Sequence, residues 1–257
     1  MTVATIAKLL LVPLAVWLAS LAARKWGHSV SGYLGGFPLI GGPITLFLAI
    51  DLGPAFAAGS ALVTLAVVAG QAAHLTTFSR AGRAWGPIPG LLAGWTAFAV
   101  AAAGIAMLPL GPAMALALAA GGLLFAAKVL PRPKGAVALP AIPPVELWLR
   151  LAAALLLAAA ILLGASTLGP VVSGILLSMP VTGLIMPPFT LALYGEDALA
   201  RLLRGFVTGL TGFSAFSAVI AVALVPLGIV AAFGLATLAA LIAVTFASRR
   251  AGASRRS

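Results

Sequence analysis

The chain has 257 residues, of which 63% are hydrophobic and 7% are charged, and its formal net charge is +11. Soluble domains carry about 25% charged residues, so this chain has too little polar surface to cover a core in water, and a soluble fold is excluded. Its basic residues flank apolar segments as membrane topology requires, which argues against a nucleic-acid partner, and the absence of cysteine excludes disulfides and thiolate metal sites.

Apolar segments follow one another along the chain and predict an all-α polytopic membrane protein. A membrane-spanning helix needs about 20 mostly apolar residues, and about nine segments reach this length. They lie at about 4–23, 29–50, 54–78, 87–107, 110–129, 146–165, 169–194, 199–222 and 226–247. The predicted organisation is a first half with a connector helix (1–130), a Pro-rich cytoplasmic linker (131–144), a second half (145–250) and a basic cytoplasmic tail (251–257).

The first apolar segment predicts a membrane helix with its N-terminus outside. Residues 1–22 precede Arg24 and Lys25, whereas a cleaved signal peptide has its basic residues before the apolar run. With nine helices, every Lys and Arg except Lys8 then falls on the cytoplasmic side, as the positive-inside rule expects. A ten-helix alternative would place the basic C-terminal tail outside. The positions of Trp26, Trp85 and Trp148 at predicted cytoplasmic ends are typical of an interfacial aromatic belt.

A segment of the chain is repeated. Residues 27–45 read GHSVSGYLGGFPLIGGPIT, and residues 169–190 read GPVVSGILLSMPVTGLIMPPFT. Both contain a glycine, two residues, Val-Ser-Gly, five residues, a proline, two residues and a glycine. A second proline follows, Pro43 or Pro188, with three extra residues in the later copy. Ser-Gly, Pro and Gly at fixed spacing indicate an internal duplication.

The two copies lie on predicted helices two and seven, which run in opposite directions. We therefore predict an inverted-topology repeat, with helix five as the connector between the halves. Such repeats are typical of secondary transporters, whose substrate site lies near the membrane midplane. One helix more or fewer between the copies would make them parallel.

Proline and glycine should break or kink both repeated helices, because proline removes a backbone donor and glycine tolerates irregular backbone. Broken backbone at membrane depth needs a protein or water-filled environment, and half-helix N-termini offer N–H groups to a polar or anionic ligand. The predicted substrate-binding residues are Ser31, Gly32, Pro38, Gly41, Gly42, Pro43, Thr45, Gln71, His74, Ser173, Gly174, Ser178, Pro180, Thr182, Gly183, Pro187, Pro188 and Thr190. The alternative is that the small residues, such as Gly32 with Gly36 and Gly205 with Gly209, only pack helices together.

Ionisable residues are few inside the apolar segments. Gln71 and His74 share one face of helix three, where His74 is a candidate for proton or substrate contact or an interfacial histidine. The carboxylates lie at helix ends as expected solvated boundary residues, and Glu146 with Arg150 and Asp197 with Arg201 have the spacing of i,i+4 pairs. No His-Glu-x-x-His, Gly-x-Ser-x-Gly or P-loop pattern is present. We therefore predict no enzyme activity, no catalytic residue, no metal site and no cofactor.

Residues 31–51, with Pro38 and Gly41-Gly42-Pro43, resemble the GlpM-like family of small bacterial inner-membrane proteins. Proteins of that family look like four-helix units about as long as each half of this chain. Residues 145–250 also match that length and carry Ser173-Gly174 and Pro180. The resemblance implies two fused, inverted copies of such a unit, and it implies no defined substrate.

The repeat predicts a secondary-type transporter of a small polar or anionic metabolite in the bacterial inner membrane, with the C-terminus cytoplasmic. Its expected partners are the lipid bilayer and a small-molecule substrate, and the small-residue helix faces leave a homodimer open. One alternative is a non-transporting membrane-assembly or envelope-polysaccharide accessory protein. Another is a translocator of a lipid or lipid-linked group, which would have a lateral opening lined by Arg or His near the inner leaflet.

Overall fold

A computed structural model describes the backbone of residues 3–135 and 143–253. This part of the chain is helical and contains no β-strand. Four helices begin at a proline, because the proline ring presets the helical φ and lacks an N–H that would be unpaired at that position. The helices are α1 (Val3–Gly36), α2 (Gly41–Asp51), α3 (Pro54–Trp85), α4 (Pro87–Ala106), α5 (Pro112–Val129), α6 (Pro144–Leu177) and α7 (Val181–Ala253).

The predicted all-α class is confirmed for the described residues, which also contain several helical segments suited to a membrane. Five segments are long and apolar enough to cross one, by length and composition: Lys25–Asp51, Pro54–Trp85, Pro87–Ala106, Pro112–Val129 and Pro144–Arg249. The last spans 106 residues, which as one straight helix would extend about 160 Å. The hydrocarbon core of a bilayer is about 30 Å thick, so this segment cannot cross as a single straight rod.

Single glycines, not loops, join many of the predicted segments. Gly27 lies inside α1, Gly169 inside α6, and Gly195 and Gly228 inside α7, all with positive φ and non-helical backbone. A side chain would disfavour this conformation, which glycine adopts readily. In the described part of the chain the nine expected segments therefore fall within seven helical stretches, three of which are interrupted by such a glycine.

The six glycines with positive φ fall into three pairs with one common separation. Gly169, Gly195 and Gly228 follow Gly27, Gly53 and Gly86, and the difference between the residue numbers is 142 in each pair. An insertion of three residues in the later copy, as the sequence alignment suggested, is wrong, because it would break this constant spacing before Gly195. With this separation of 142 residues, the position equivalent to Thr45 in the second copy is Pro187 and not Thr190.

In each copy the helix breaks only at the first of the expected prolines. The chain is non-helical at 37–40, between α1 and α2, and at 178–180, between α6 and α7, so Pro38 and Pro180 lie in interruptions. The expected break at Pro187 and Pro188 is wrong, since both lie within the helical backbone of α7. Membrane helices tolerate proline where neighbouring groups compensate the lost hydrogen bond.

Helix α3 lies at the centre of the fold. It contacts α2, α4, α5, α6 and α7. Of the residues in its most apolar stretch of 18, 72% are buried, against 28% in α4 and 22% in α5. Large apolar side chains such as Met107, Leu156 and Val230 are exposed on the outside. A surface of this kind is unfavourable in water and fits a lipid environment.

Two predicted segments lie partly outside the residues that the structure describes. Residues 136–142 of the linker and 254–257 of the tail lie outside the described residues. Helix α7 extends to Ala253, so residues 251–253, which were predicted as tail, have helical backbone.

Candidate functional site

The two helix interruptions lie against each other. The Thr182 hydroxyl, near the start of α7, donates a 3.0 Å hydrogen bond to the Gly35 carbonyl near the end of α1. A Cβ on Gly41 would lie 4.0 Å from the Leu177 carbonyl oxygen and 2.9 Å from the Phe213 ring. The ends of α1 and α6 and the beginnings of α2 and α7 therefore meet at one place.

Both interruptions have the same backbone hydrogen bonds. In the first, Gly42 N–H donates to the Pro38 carbonyl at 2.8 Å; in the second, Leu184 N–H donates to the Pro180 carbonyl at 2.8 Å. Each donor lies 142 positions from its counterpart, as does each acceptor. The same local chain path is thus built twice from the proline and the residues that follow it.

The segment 28–36 of α1 packs closely against the segment 196–227 of α7. Gly32 and Gly36 face Gly205 and Gly209, and a Cβ on Gly36 would lie 2.5 Å from the Phe206 carbonyl oxygen. Small residues allow this backbone approach. The packing interpretation is therefore correct for these four glycines, and their face is buried inside the chain.

The segment 170–177 of α6 packs against α3 in a corresponding way. Thr64 donates a 3.0 Å hydrogen bond to the Gly174 carbonyl, and a Cβ on Gly174 would lie 2.5 Å from the Ser60 carbonyl oxygen. At the end of this segment the Gln71 amide donates to the Ser178 carbonyl at 2.6 Å. Carbonyls at a helix C-terminus lack helical partners, so Gln71 satisfies one that the interruption leaves open.

A cavity lies where the interruptions meet. Its water-accessible volume is about 70 Å³, which is enough for several water molecules. Its walls are mainly apolar, and residues of both interruptions contribute to them. The polar side chains that line it are Ser20, Ser31, Gln71, Arg150 and Thr182.

Two helix N-termini contribute to the cavity wall. Gly41, the first residue of α2, and Val181, the first residue of α7, both line it. The N-terminus of a helix carries a partial positive charge from the aligned peptide dipoles. Two such ends at one cavity favour a negative or strongly polar group.

A buried ion pair lies beside the cavity. The side chains of Glu146 and Arg150 are each 5% exposed and are bonded to each other, and Arg150 also donates to the Ser20 hydroxyl at 3.4 Å. The predicted i,i+4 pairing is confirmed, but the expected solvation of Glu146 is wrong because the first turns of α6 pack into the fold. Burial makes the pairing obligatory, since an isolated charge there would be costly.

The other carboxylates lie at the surface. Asp51 pairs with Lys8 at 2.5 Å, and Glu196 pairs with Arg83 at 2.6 Å. Asp197 accepts hydrogen bonds of 3.1 Å from the backbone N–H groups of Lys134 and Gly135. The expected partner of Asp197, Arg201, instead donates to the Gly135 carbonyl.

His74 is fully buried and does not line the cavity. A Cβ on Gly94 would lie 2.9 Å from its Nδ1, and a Cβ on Gly183 would lie 3.0 Å from its Nε2. Neither ring nitrogen has a hydrogen-bond partner among the described residues. The interfacial alternative for His74 is wrong, because α3 is central and this side chain is enclosed by α4 and α7.

Five of the predicted site residues line the cavity: Ser31, Gly41, Gln71, Pro180 and Thr182. The others have different places. Gly32 and Gly174 pack helices, Gly183 lies beside His74, and the Thr45 hydroxyl bonds to the Gly41 carbonyl at 2.7 Å within α2. Pro38 and Ser178 lie in the interruptions, Gly42 and Pro43 in the first turn of α2, Ser173 and Thr190 are buried, and Pro187 and Pro188 are helical.

Ser20 and Arg150 line the cavity without having been predicted. Arg150 carried a usable signal, because an arginine four residues after a glutamate on an apolar helix indicates a buried pair. Ser20 carried none, since a serine in an apolar helix is common and its neighbour is 130 residues away.

A second opening lies at the basic end of the molecule. This lateral cleft has a water-accessible volume of about 880 Å³ and lies between α5, α7 and the segment 28–36. Three arginines line it together with apolar side chains and hydroxyls. Its lining residues include Arg132, Arg201, Arg204, Leu123, Leu124, Val207, Ala243, Phe246, Ser29, Tyr33, Thr208 and Thr211.

In the described part of the chain no three His, Asp or Glu side chains come close enough to hold a metal ion. Comparison of the chain with protein-family models, with curated proteins and with solved structures finds no match. The resemblance to the GlpM-like family stays a prediction.

Proposed function

We propose that this chain is a secondary-type transporter of a small organic or inorganic anion, with nine membrane crossings and two halves related by inverted topology. The observation that carries the proposal is the meeting of two equivalent helix interruptions at one cavity. Discontinuous helices at the interface of inverted repeats form the substrate sites of many transporters.

The repeat is supported by the constant separation of 142 residues. It relates the three pairs of positive-φ glycines and the backbone hydrogen bonds of the two interruptions. It also relates Ser31-Gly32 to Ser173-Gly174 and Pro38 to Pro180. A chance similarity between apolar helices would not extend to backbone conformation at six positions.

The inversion is supported by the direction of packing. Segment 28–36 runs parallel to segment 196–227, since Gly32 lies by Leu202 and Gly36 by Phe206. Segment 170–177 runs parallel to α3, since Pro170 lies by Gly59 and, farther along both chains, Ser178 lies by Gln71. The end of α3 meets the start of 196–227 through Arg83 and Glu196, so the two short segments begin at opposite ends of the fold.

An anionic substrate is supported by the charge around the cavity. Two helix N-termini and Arg150 line it, and no carboxylate does among the described residues. Glu146 lies behind the wall and opposes the charge of Arg150 through their ion pair. A small anion that enters would be attracted by the two N-termini and would compete with Glu146 for the guanidinium.

Labelling of introduced cysteines tests access to the cavity, because the native chain has none. Ser31→Cys and Thr182→Cys, one from each copy and both at the cavity, should react with a membrane-impermeant thiosulfonate. Ser60→Cys, which is fully buried in the packing of α3, is the control and should stay protected. Protection of both cavity cysteines, as complete as that of the control, would show a dry core and contradict transport.

A thermal-shift screen with small carboxylates and with phosphate tests the substrate class. A ligand of the cavity should raise the melting temperature of the wild-type protein, because ligands that bind only the folded state stabilise it. The double substitution Glu146→Gln, Arg150→Gln removes both charges and leaves no unpaired buried ion, and it should abolish the shift. Stabilisation by neutral polyols, and not by anions, would contradict an anionic substrate.

The translocator of a lipid-linked group is the second candidate, favoured by one observation. Its expected arginine-lined lateral opening corresponds to the cleft at Arg132, Arg201 and Arg204. The cleft is separate from the cavity, with no lining residue in common. Scrambling of fluorescent phospholipid in proteoliposomes, without anion uptake, would favour this candidate over the first.

A further inference from the structure

The lateral cleft has the shape and chemistry of a site for an amphipathic ligand. Its water-accessible volume, about 880 Å³, exceeds that of the central cavity, about 70 Å³. One part of the wall is apolar and open, with Leu124 63% exposed and Phe246 57% exposed. Another part carries the guanidinium groups of Arg132, Arg201 and Arg204.

Two of the three arginine side chains, those of Arg201 and Arg204, are held in place by backbone carbonyls. Arg201 donates to the Gly135 carbonyl, and both terminal nitrogens of Arg204 lie 3.3 Å from the Ala127 carbonyl oxygen. The Nε of Arg201 is buried and has no hydrogen-bond partner among the described residues. A carbonyl bond orients a guanidinium without neutralising its charge, so Arg201 keeps donors and charge for an anion.

Two carboxylates, Glu196 and Asp197, lie at this end of the fold, and Asp197 keeps its charge because backbone N–H groups orient a carboxylate without neutralising it. Asp197 accepts hydrogen bonds from the backbone of Lys134 and Gly135, and Glu196 pairs with Arg83. The arginines thus outnumber the acidic groups at this end of the fold. The cleft has the charge of a phosphate-binding site.

An exposed tryptophan at the same end of the molecule predicts that the cleft lies at the depth of lipid headgroups. Trp85, 71% exposed, follows Arg83 by two residues at the same end of the molecule, and exposed tryptophans concentrate at the membrane interface. The positive-inside rule assigns this basic end to the cytoplasm. Basic pockets between membrane helices on that side suit anionic lipid headgroups.

We propose that the lateral cleft binds an anionic glycerophospholipid, with its phosphate at Arg201 and Arg132 and its acyl chains along Leu124 and Phe246. A soluble anion would gain nothing from the apolar wall, and a zwitterionic lipid would gain less from the arginines. The inference rests on the membrane location of the chain and not on the proposed transport.

Native mass spectrometry of the detergent-solubilised protein tests this site directly. Phosphatidylglycerol should bind more tightly than phosphatidylcholine, and glycerol 1-phosphate at equal concentration should not displace it. Displacement by glycerol 1-phosphate would show a site for soluble anions and overturn the proposal. Equal affinity for the two lipids would overturn it as well.

Paired variants locate the binding. Arg132→Gln with Arg201→Gln should reduce the preference for phosphatidylglycerol about 25-fold, from about five-fold for each arginine near the lipid surface. The control Arg80→Gln removes an exposed charge that does not line the cleft, and its effect should stay below about two-fold because exposed charges outside the site are screened by salt. Equal losses in both variants would overturn the assignment to the cleft.

Ala243→Trp places a large side chain in the apolar part of the cleft and leaves all three arginines unchanged. This variant should lose phosphatidylglycerol binding while its melting temperature stays near that of the wild type. Undiminished binding would show that the acyl chains do not occupy the cleft, and would overturn the proposal independently of the arginine variants.

Discussion

At the scale of single residues, burial separates two ion pairs whose basic partners occupy equivalent positions in the two halves of the chain. Lys8 and Arg150 are 142 positions apart, each on the first helix of one half of the chain. The Lys8–Asp51 pair is partly exposed, with side chains 22% and 44% exposed, whereas both side chains of the Glu146–Arg150 pair are 5% exposed. Removing one partner should therefore cost more free energy at the buried pair than at the exposed pair.

Glu146→Gln should lower the free energy of unfolding by about 3 kcal/mol or more, because it leaves the Arg150 guanidinium buried without its counter-charge. Asp51→Asn, the control, removes one partner of the exposed pair and should cost about 1 kcal/mol or less. Unfolding by sodium dodecyl sulfate, followed by circular dichroism, measures both. Equal losses would mean that Arg150 finds another counter-charge.

At the scale of helices, glycine permits the contacts that hold the two short segments in place. Segment 28–36 approaches α7 through Gly32 and Gly36, and segment 170–177 approaches α3 through Gly174. These contacts fix the interruptions relative to the long helices. The packing and the cavity are therefore two aspects of one arrangement: close packing on one side of each short segment positions the break at its end.

Gly174→Ala should destabilise the fold by about 1–3 kcal/mol, as overpacking does, because the new Cβ would lie 2.5 Å from the Ser60 carbonyl oxygen. Gly121→Ala is the matched control in α5, where nothing lies within 4 Å of the added Cβ. It should be neutral or stabilising by up to about 1 kcal/mol, since alanine favours the helix. The same unfolding assay compares the two. A neutral Gly174→Ala would mean that α3 and α6 can separate without cost.

At the scale of the whole molecule, charged contacts divide between the two ends of the helices. Arg83 with Glu196, Asp197 with the backbone of Lys134, and Arg204 with Ala127 lie at one end. The proposed topology places this end in the cytoplasm and the Lys8–Asp51 pair outside.

Asp51→Cys and Glu196→Cys test that topology in intact cells and inverted vesicles. A membrane-impermeant maleimide should label Asp51→Cys only from outside and Glu196→Cys only from the cytoplasm. Each substitution removes one surface ion pair, at a cost of about 1 kcal/mol or less, so the fold should persist. Labelling of both positions from the same side would contradict the inverted arrangement and the nine crossings.

The helical breaks could be predicted in part, because their causes are local. Pro38 and Pro180 lie in interruptions as expected, since the proline ring acts on the carbonyl one turn earlier. Pro187 and Pro188 have the same local chemistry but lie within α7. Their effect depends on the groups that surround the helix, which a single sequence does not reveal.

The sequence by itself determined that the chain is helical, that its surface is too apolar for water, and where Ser-Gly, Pro and Gly recur. Composition and local backbone preference act within a turn or two of the chain, so they can be read residue by residue. Only the tertiary structure decided that Gln71 caps Ser178, 107 residues away, and that Arg150 reaches Ser20, 130 residues away. Such contacts depend on how the helices pack, and therefore the cavity and the cleft emerged only from the fold.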